Sequence, residues 1–392
     1  MKKIVIVNNN MKIGGVQKSL CNLLWSLHEN YDITLVLFCP VGEYMDQLPS
    51  DVKVVACRGL CRYLGRSQGE FSGIDKLVRG GLVMLTRLLG RSRVMKLVLA
   101  GETKLPGRYD CAISFLHNGT GNHFYGGVQD YVLHRIRADR KIAFLHGDYG
   151  RCGADHPANN RQMARFHRVA ACSEGCRDAF TAVLPELAER CVTVHNCHRI
   201  DQIRAMADTD AVVYDKAYRN VVMVSRLSRE KGIERAIAAV SACIADGIAV
   251  RLHIVGDGIM GSRLEAEAVK QGIGDHVFFH GQQTNPYRYM KQADLFLMTS
   301  YHEAAPMVLE EARCVGLPVL TVETTSSREM VTREQAGWVC DNTQEALTQQ
   351  MKQILAHPEQ IAALRKELAE RSMNNDRAME QFAALIEETY ED

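Results

Sequence analysis

The sequence predicts an α/β protein made of two doubly wound domains, each built around a parallel sheet. The 392 residues exceed the length at which a single hydrophobic core keeps growing, which favours two domains. Short apolar runs of strand length alternate with helical stretches, a pattern typical of βαβ units. Glycine-rich or polar loops follow several of these runs, at the strand ends where open α/β sheets bind ligands. We place the domain boundary between residues 200 and 218.

The composition is that of a soluble globular protein, with 46% hydrophobic and 24% charged residues. No apolar run approaches the ~20 residues of a membrane span, and the apolar part of residues 1–8 is too short for a signal peptide. The thirteen cysteines are scattered and include no C-x-x-C pair, so we expect free thiols in a reducing cytosol. These observations predict a cytoplasmic protein.

The net charge of +1 conceals an asymmetry between the two halves of the chain. Residues 1–200 hold 27 basic and 17 acidic side chains, a balance of +10, which leaves −9 for the rest. Residues 58–108 hold eleven basic and three acidic side chains, interleaved with leucine-rich runs. One interpretation is a basic amphipathic helix in an anionic membrane interface; the other is a core-facing helix with a basic solvent face. In the first interpretation, the expected contacts are Arg87, Arg91, Arg93 and Lys96.

The first strand, residues 4–7, leads into Gly14-Gly15 and an apolar helix. A glycine pair between a strand and a helix lets the backbone approach a ligand closely. The loop is not a Walker A motif, because Gln17 stands where that motif requires glycine directly before Lys18.

Strands are predicted at residues 33–38, 52–56, 111–115 and 141–145. His117-Asn118 follows the third of these strands, and His146-Gly147 follows the fourth. Both are polar loops at strand ends, so His117, Asn118 and His146 are candidate ligand contacts, although a lone histidine at such a place is more often structural.

The second domain is predicted to begin with a strand near residue 221. Arg226 and Lys231 leave the end of this strand five residues apart. Together they could neutralise a diphosphate, because arginine supplies paired donors and lysine a point charge.

A literal G-x-G-x-x-G follows the next strand, at residues 256–261, and includes Gly256 and Gly258. A dinucleotide site also needs an acidic residue at the end of the following strand, to hold the ribose hydroxyl groups. That strand, residues 277–279, ends in His280-Gly281 instead, so NAD binding is disfavoured.

Residues 295–319 read as strand, loop and helix, with Pro306 in the first helical turn and Gly316 and Pro318 ending the helix. The loop 301–305 therefore meets a helix N-terminus, where backbone N–H groups favour an anion. At about 100° per residue, Glu311 lies beside the apolar stripe of the helix, whereas Glu310 lies on the opposite side and is expected in solvent.

Glu303 and Glu311 resemble the E-x7-E signature of the retaining glycosyltransferases of family 4. The segment 225–232 resembles the G-R-L-x-x-x-K-G element of that family, with Ser225 in place of glycine. The resemblance extends over nearly the whole chain. It implies the GT-B fold, with two Rossmann-like domains facing across a cleft and a C-terminal helix that crosses back to the first domain. The implied domains are 1–205 with helix 375–392, which binds the acceptor, and 206–374, which binds the nucleotide sugar.

The resemblance also implies roles for individual residues. Glu303 would face the donor sugar and Glu311 would hold the ribose. The implied catalytic residues are His146, Arg226, Lys231 and Glu303. The implied donor-binding residues are Gly15, Arg226, Lys231, Gly256, Gly258, His280, Gly281, Glu303, Ala305, Met307 and Glu311, and the acceptor-side residues are Gly14, His117 and Asn118.

The implied reaction is transfer of a hexosyl group from a UDP-sugar to a hydroxyl group, with retention and without a metal or other cofactor. The implied setting is bacterial surface polysaccharide or glycolipid synthesis, on sugar or lipid-linked sugar acceptors, at the inner face of the membrane and without nucleic acid. Two alternatives stay open: an epimerase or phosphorylase of the same fold, and a silent nucleotide-sugar-binding subunit. Product analysis with donor alone would expose an epimerase, and the intact Arg226, Lys231, Glu303 and Glu311 argue against a silent subunit.

Overall fold

The computed structural model describes residues 1–66, 68–102, 104–119 and 123–387. The chain forms two compact units: residues 1–197 together with the C-terminal segment from Asn375, and residues 198–374. Both are parallel α/β units, as the sequence predicts.

The first unit contains a seven-stranded parallel sheet with the order β3-β2-β1-β4-β5-β6-β7. Its strands are β1 (Lys2–Asn8), β2 (Tyr31–Leu37), β3 (Lys53–Ala56), β4 (Tyr109–Ser114), β5 (Ala138–Leu145), β6 (Arg168–Ala171) and β7 (Cys191–Thr193). The helices between them are α1 (Gly15–Leu27), α2 (Gly73–Leu89), α3 (Arg91–Ala100), α4 (Val128–Arg135), α5 (Pro157–Met163) and α6 (Glu174–Val183).

The second unit contains a six-stranded parallel sheet with the order β10-β9-β8-β11-β12-β13. Its strands are β8 (Arg219–Val224), β9 (Val250–Val255), β10 (Val277–Phe279), β11 (Leu295–Met298), β12 (Val319–Val322) and β13 (Gly337–Cys340). Its helices are α7 (Ile200–Ala207), α8 (Ile233–Ala245), α9 (Gly261–Lys270), α10 (Tyr287–Gln292), α11 (Met307–Cys314), α12 (Gln344–Ala356) and α13 (Pro358–Glu370).

The last helix, α14 (Asp376–Glu387), returns to the first unit, as expected. Phe382 is fully buried in the core of that unit, and its ring meets Tyr31 edge-on at 6.0 Å between centroids. The amide oxygen of Gln381 accepts a hydrogen bond from the backbone N–H of His195 at 3.0 Å. Apolar and polar contacts therefore both fix α14 on the first unit.

The boundary between the units lies at residues 197/198, eight residues before the predicted 205/206. The reason is the packing of α7. Ile200, Ile203 and Ala207 are buried in the same core cluster as Phe296 and Leu309 of the second unit. The apolar face of α7 thus assigns that helix to the second unit.

Within the described residues, no helix is long and apolar enough to span a membrane. The basic stretch 58–108 folds largely into α2 and α3. Arg91, one of the four expected membrane contacts, is only 4% exposed and forms an ion pair with Asp130 at 2.7 Å. That residue is therefore buried, and the expectation that it meets a membrane surface is wrong.

Candidate active site

The candidate site in the second unit lies where its sheet reverses strand order. The strand β8 stands between β9 and β11, so the loops after β8 and β11 leave the carboxyl edge of the sheet side by side. Ligands of open α/β sheets bind at this kind of switch point. Lys231 comes from the first loop and Glu303 from the second, and Lys231 Nζ lies 2.6 Å from Glu303 Oε1. The two predicted catalytic side chains are thus brought together, 20% and 15% exposed.

Short polar contacts hold this ion pair in place. Ser300 Oγ donates to Glu303 Oε1 at 2.8 Å. Thr299 Oγ1 donates to the carbonyl oxygens of Lys231 and Gly232, at 3.0 and 2.8 Å. Gly232 has φ of 59°, and a Cβ there would lie 2.5 Å from the Thr299 carbonyl oxygen. This close approach explains the glycine after Lys231, because a side chain would separate the two loops.

Arg226, the other predicted diphosphate contact, projects into solvent with 72% of its side chain exposed. Its Nη2 lies 3.3 Å from Glu230 Oε1, and Ser228 Oγ donates to the same oxygen at 2.6 Å. Burial alone would raise the pKa of Glu230. Hydrogen bonds from Ser228 and from its own backbone, with the charges of Arg226 and Lys231, outweigh burial and lower that pKa. Glu230 is therefore an anion that faces the cations of this loop.

Gly256 and Gly258 allow two backbone segments to pack closely next to Arg226. A Cβ on Gly256, which has φ of 139°, would lie 1.9 Å from the Ser225 carbonyl oxygen. A Cβ on Gly258 would lie 2.4 Å from the Leu227 carbonyl oxygen. The Leu227 N–H donates to the Asp257 carbonyl oxygen at 2.9 Å. The G-x-G sequence thus sets the path of the Arg226 loop.

The His280-Gly281 loop is anchored from the same side. The Gly256 N–H donates to the Gly281 carbonyl oxygen at 2.8 Å. The rings of His280 and His253 are bridged by a 3.1 Å contact between Nε2 and Nδ1, and His253 Nε2 lies 3.1 Å from Asn220 Oδ1. Burial is the main cause that lowers the pKa of His253 to about 3, and electrostatic repulsion from His280 and Arg251 adds to it. These imidazoles therefore form a neutral hydrogen-bonded array under the loop.

The helix α11 starts at Met307, with Pro306 one residue earlier than predicted, at the N-cap position. Glu311 is buried, at 3% exposed, as the helical pattern predicts. Glu310 was expected in solvent, and this is wrong. Arg313 Nη1 donates to both oxygens of Glu310 at 2.8 Å, and Arg313 Nη2 reaches Glu334 at 2.7 Å. Arg313 binds the Glu310 carboxylate, and the angular position of Glu310 on the helix does not reveal this contact.

A buried arginine that was not predicted from the sequence ties the Glu303 loop to its neighbours. Arg235 is 5% exposed and donates from Nη1 to Asn342 Oδ1 at 2.6 Å and to the Thr299 carbonyl oxygen at 3.3 Å. Its guanidinium lies 5.0 Å from the ring centroid of Tyr301. Asn342 Nδ2 in turn donates to the Tyr301 carbonyl oxygen at 3.3 Å. The only signal in the sequence is a charged residue among the alanines and isoleucines of α8.

Beside the Lys231 loop lies a cavity of about 1020 Å³ within the second unit. The charged residues of its lining are two arginines and three glutamates. The lining residues are Arg229, Glu230, Glu234, Met260, Arg263, Leu264, Glu267, Tyr301 and His302. Small-molecule sites typically measure about 300–1,000 Å³, so this cavity has room for a nucleotide-sized ligand.

The candidate residues of the first unit follow β1, β4 and β5, which are adjacent strands. Gly14 caps α1 and Gly15 is its first residue. His117 and His146 follow β4 and β5, and a Cβ on Gly147 would come within 3.1 Å of the His117 ring. The structure thus brings the two predicted histidine loops together at one edge of the sheet.

Both histidines are held neutral. Burial, with a smaller effect of His117, lowers the pKa of His146 to about 3, and burial lowers that of His117 to about 4. The His146 ring packs on Phe115, 4.4 Å between centroids. Among the described residues, its buried Nε2 atom has no hydrogen-bond partner. The ring nitrogen of a neutral imidazole can donate a hydrogen bond to a ligand hydroxyl group or accept one from it, depending on the tautomer.

Asn118, expected on the acceptor side, is engaged inside the unit. It is 1% exposed, and its Nδ2 donates to Gln162 Oε1 at 2.6 Å. Its Oδ1 accepts from the Gly127 N–H at 2.9 Å. Of the three acceptor-side candidates, Asn118 is the one whose polar atoms are most occupied by the protein itself.

The segment that carries the Lys231 and Glu303 loops matches a known family model. Residues 210–374 match the model of the glycosyl transferases group 1. The chain is also 27% identical over 209 residues to the GDP-mannose-dependent alpha-(1-6)-phosphatidylinositol dimannoside mannosyltransferase of Mycobacterium tuberculosis, 52% of either chain. It is 31% identical over 140 residues to the putative colanic acid biosynthesis glycosyltransferase WcaL of Escherichia coli, 33% of this chain and 34% of WcaL. The chain spans about half the length, or less, of the curated relatives it matches.

Two solved structures match along almost the whole chain. The complex of HepE from Anabaena with UDP and glucose superposes with a TM-score of 0.68, at 18% identity, over 98% of this chain and 99% of HepE. WaaG, a glycosyltransferase involved in lipopolysaccharide biosynthesis, superposes with a TM-score of 0.61, at 16% identity, over 98% and 99%. At these identities the likeness establishes the fold, and the predicted GT-B fold class is confirmed.

Proposed function

We propose that this protein transfers a hexosyl group from a nucleotide sugar to a hydroxyl group of an acceptor. The observation that carries the proposal is the Lys231–Glu303 ion pair at the switch point of the second sheet. It lies inside the segment that matches the glycosyl transferases group 1 model. A cation for a diphosphate and a carboxylate for sugar hydroxyl groups then stand side by side.

The proposed donor site assigns each charge a task. Lys231 uses one of its three N–H donors on Glu303, and the other two can bind the diphosphate. Arg226, exposed beside it, adds paired donors. The N-terminus of α11 contributes its partial positive charge. Together they stabilise the negative charge that develops on the leaving diphosphate, which is the principal catalytic task in such a transfer.

The carboxylates orient the sugar and the nucleoside in this proposal. Glu303 accepts hydrogen bonds from hydroxyl groups of the donor sugar, and Glu311 holds the ribose. The role of Glu311 rests on its place in the E-x7-E spacing, on α11. His146, a neutral imidazole of the first unit, is proposed to contact a sugar hydroxyl group.

The finer points of the proposal are retention at the anomeric carbon, membership of family 4 and independence of a divalent metal. They rest on the spacing of Glu303 and Glu311 and on the Arg226 to Lys231 element. We name no protein nucleophile. The sequence Asp208-Thr209-Asp210 has the spacing of an acidic metal-binding motif. Asp208, which caps the C-terminus of α7, forms an ion pair with Lys291.

The proposed donor is a UDP-sugar, in line with the UDP complex of the structurally similar HepE. The proposed acceptors are sugars or lipid-linked sugars of bacterial surface polysaccharide or glycolipid synthesis, supported by the names of WcaL and of the mycobacterial mannosyltransferase. Such an enzyme would act in the cytoplasm, at the inner face of the membrane.

The test begins with thermal unfolding in the presence of a panel of nucleotide sugars. A ligand at 100 times its dissociation constant stabilises the folded state by about 2.7 kcal/mol, so the correct donor should raise the melting temperature. That donor is then incubated with acceptor, with and without EDTA, and the anomeric configuration of the product is read by NMR.

We expect transfer with retention, unaffected by EDTA and strongly reduced in Glu303→Gln. Conversion of the donor without an acceptor into its epimer would assign the alternative epimerase activity. Donor binding with no turnover of any acceptor by wild type or Glu303→Gln would favour a silent binding subunit.

A further inference from the structure

Helix α2 of the first unit turns an apolar face to solvent. Ile74 and Leu77 are each 76% exposed, Leu88 is 70% and Met84 is 64%. At 100° per residue these side chains, with Val78 and Leu89, fall within an arc of about 140°. A surface helix of a soluble protein normally directs such an arc toward the core. We call Ile74, Leu77, Met84 and Leu88 the exposed face of α2.

The opposite side of α2 is packed, so its orientation is determined by contacts. Leu82 and Thr86 are buried. Arg79 Nε donates to the carbonyl oxygens of Tyr63 and Arg66, at 3.3 and 3.2 Å. Rotation of the helix to bury the exposed face would break these hydrogen bonds. The apolar arc is therefore a surface feature of the folded unit.

The exposed charges of α2 and of the adjoining helix α3 are basic. The exposed basic side chains include Arg87 on α2 and Arg93 and Lys96 on α3. Leu97, also on α3, is 52% exposed. The one acidic residue of α2, Asp75, accepts hydrogen bonds from Arg62 and Tyr63, and α3 contains no acidic residue. An apolar arc with a basic rim matches the acyl chains and anionic headgroups of a lipid surface. It does not match a second copy of itself, because the two basic rims would repel each other.

We propose that α2 is an interfacial helix, which inserts its exposed face into an anionic bilayer while Arg87, Arg93 and Lys96 lie among the headgroups. This deepens the interpretation of residues 58–108 as a basic amphipathic helix in an anionic membrane interface, since it assigns the attachment to named apolar side chains of α2 and not to the charges alone. It rests on the proposed function only for the reason to be at a membrane. The contact itself is argued from α2 and can be measured without substrate.

The experiment is sedimentation of the full-length protein with vesicles of phosphatidylglycerol and phosphatidylethanolamine, and with neutral phosphatidylcholine vesicles. Each is run at low and at high salt. We expect binding to the anionic vesicles at low salt, and part of that binding to persist at high salt because insertion is insensitive to ionic strength. A combined Leu77→Gln and Leu88→Gln variant should raise the apparent dissociation constant at least about 10-fold.

Two further variants separate the contributions. A combined Arg87→Gln, Arg93→Gln and Lys96→Gln variant should lose most of the salt-sensitive part of the binding. The matched control is Ile259→Gln with Val269→Gln, which removes two apolar side chains of the second unit, 96% and 71% exposed, and should bind like wild type. Circular dichroism checks that each variant folds.

Three results would overturn the proposal. One is absence of binding to anionic vesicles at low salt, and another is unchanged binding of the leucine variant. The third is a dimer in analytical ultracentrifugation that the leucine variant abolishes while vesicle binding is absent, which would assign the exposed face to a second copy of the chain. A protein that binds vesicles but transfers no sugar would contradict the proposed function and leave this inference intact.

Discussion

Glu311 and Glu310 are neighbours in the sequence with different surroundings on α11. Glu311 is buried and is proposed to hold the ribose, whereas Glu310 is bound by Arg313. Glu311→Gln should weaken UDP binding about 10-fold, because a charged hydrogen bond contributes about 1.5–3 kcal/mol. Glu310→Gln should leave UDP binding unchanged and lower the free energy of unfolding by about 1 kcal/mol through Arg313. Calorimetry and urea unfolding of both variants measure this, and equal effects on UDP binding would contradict the assignment.

Arg235 is expected to position Glu303 without contacting the donor. Arg235→Gln removes the charged contacts to Asn342 and to the Thr299 carbonyl group and should lower the free energy of unfolding by about 2–4 kcal/mol. Because the Glu303 loop loses its support, kcat should fall while the dissociation constant of UDP changes little. Arg108→Gln, which removes an exposed ion pair with Asp139 in the first unit, is the control. A change in UDP affinity with unaltered kcat would indicate a direct contact instead.

The residues themselves show how far the sequence was informative. Glu303, Lys231 and Glu311 were predicted because they lie in short motifs that resemble those of a known family, and the helical pattern sets the direction of Glu311. The hydrogen bonds of Thr299 and Asn342 were not predicted, because their partners come from separate loops. Burial of Arg91 was missed for the same reason, since Asp130 is 39 residues away.

At the scale of elements, the turn after β9 and the loop after β10 each contain a glycine, and the two glycines differ in the space available for a side chain. Gly256→Ala would place a Cβ 1.9 Å from the Ser225 carbonyl oxygen, whereas Gly281, with φ of 63°, has open space around its Cβ position. We expect Gly256→Ala to lower the free energy of unfolding by about 3 kcal/mol or more and to weaken UDP binding by displacing Arg226. Gly281→Ala should cost only the left-handed conformation, about 1–2 kcal/mol.

Urea unfolding and UDP calorimetry of the two glycine variants provide the comparison. A Gly256→Ala protein as stable as wild type would show that the two loops can separate without cost. Close backbone packing would then no longer explain the G-x-G sequence.

Elements with a clear apolar pattern were predicted, and those defined by their neighbours were not. The strands β1, β5 and β11 follow from buried apolar runs in the sequence. The edge strand β13 was not predicted; it carries the half-buried sequence Gly-Trp-Val-Cys and is defined by pairing with β12. The exposed face of α2 was interpreted as core-facing or membrane-facing from its pattern, and packing of its other side decides only that it is outside the core.

At the scale of the whole molecule, three histidines link stability to pH. The pKa values of His146 and His253 are lowered to about 3 and that of His117 to about 4, chiefly by burial. In the unfolded chain a histidine titrates near 6.5, so between that pH and the folded pKa the unfolded state binds more protons. Stability is therefore fully present above about pH 6.5 and falls as the pH drops toward 4, by up to about 1.4 kcal/mol per pH unit for each such histidine.

Urea unfolding of wild type and of His253→Gln between pH 7.5 and 4.5 tests this linkage. The variant should be less stable at neutral pH, because it loses the array with His280 and Asn220, and its stability should fall less steeply with acid. Parallel pH curves for the two proteins would mean that His253 does not carry the linkage.

Above all, the switch point of the second sheet is proposed to bind the diphosphate of a nucleotide sugar through Lys231. Calorimetric titration of UDP into wild type, Lys231→Ala, Arg226→Ala and the distant control Lys270→Ala tests this most directly. We expect at least a roughly 10-fold weaker affinity for Lys231→Ala, a similar or smaller loss for the exposed Arg226→Ala, and wild-type affinity for Lys270→Ala. UDP binding that is undiminished in both Lys231→Ala and Arg226→Ala, in proteins shown to be folded, would contradict this role of the switch point.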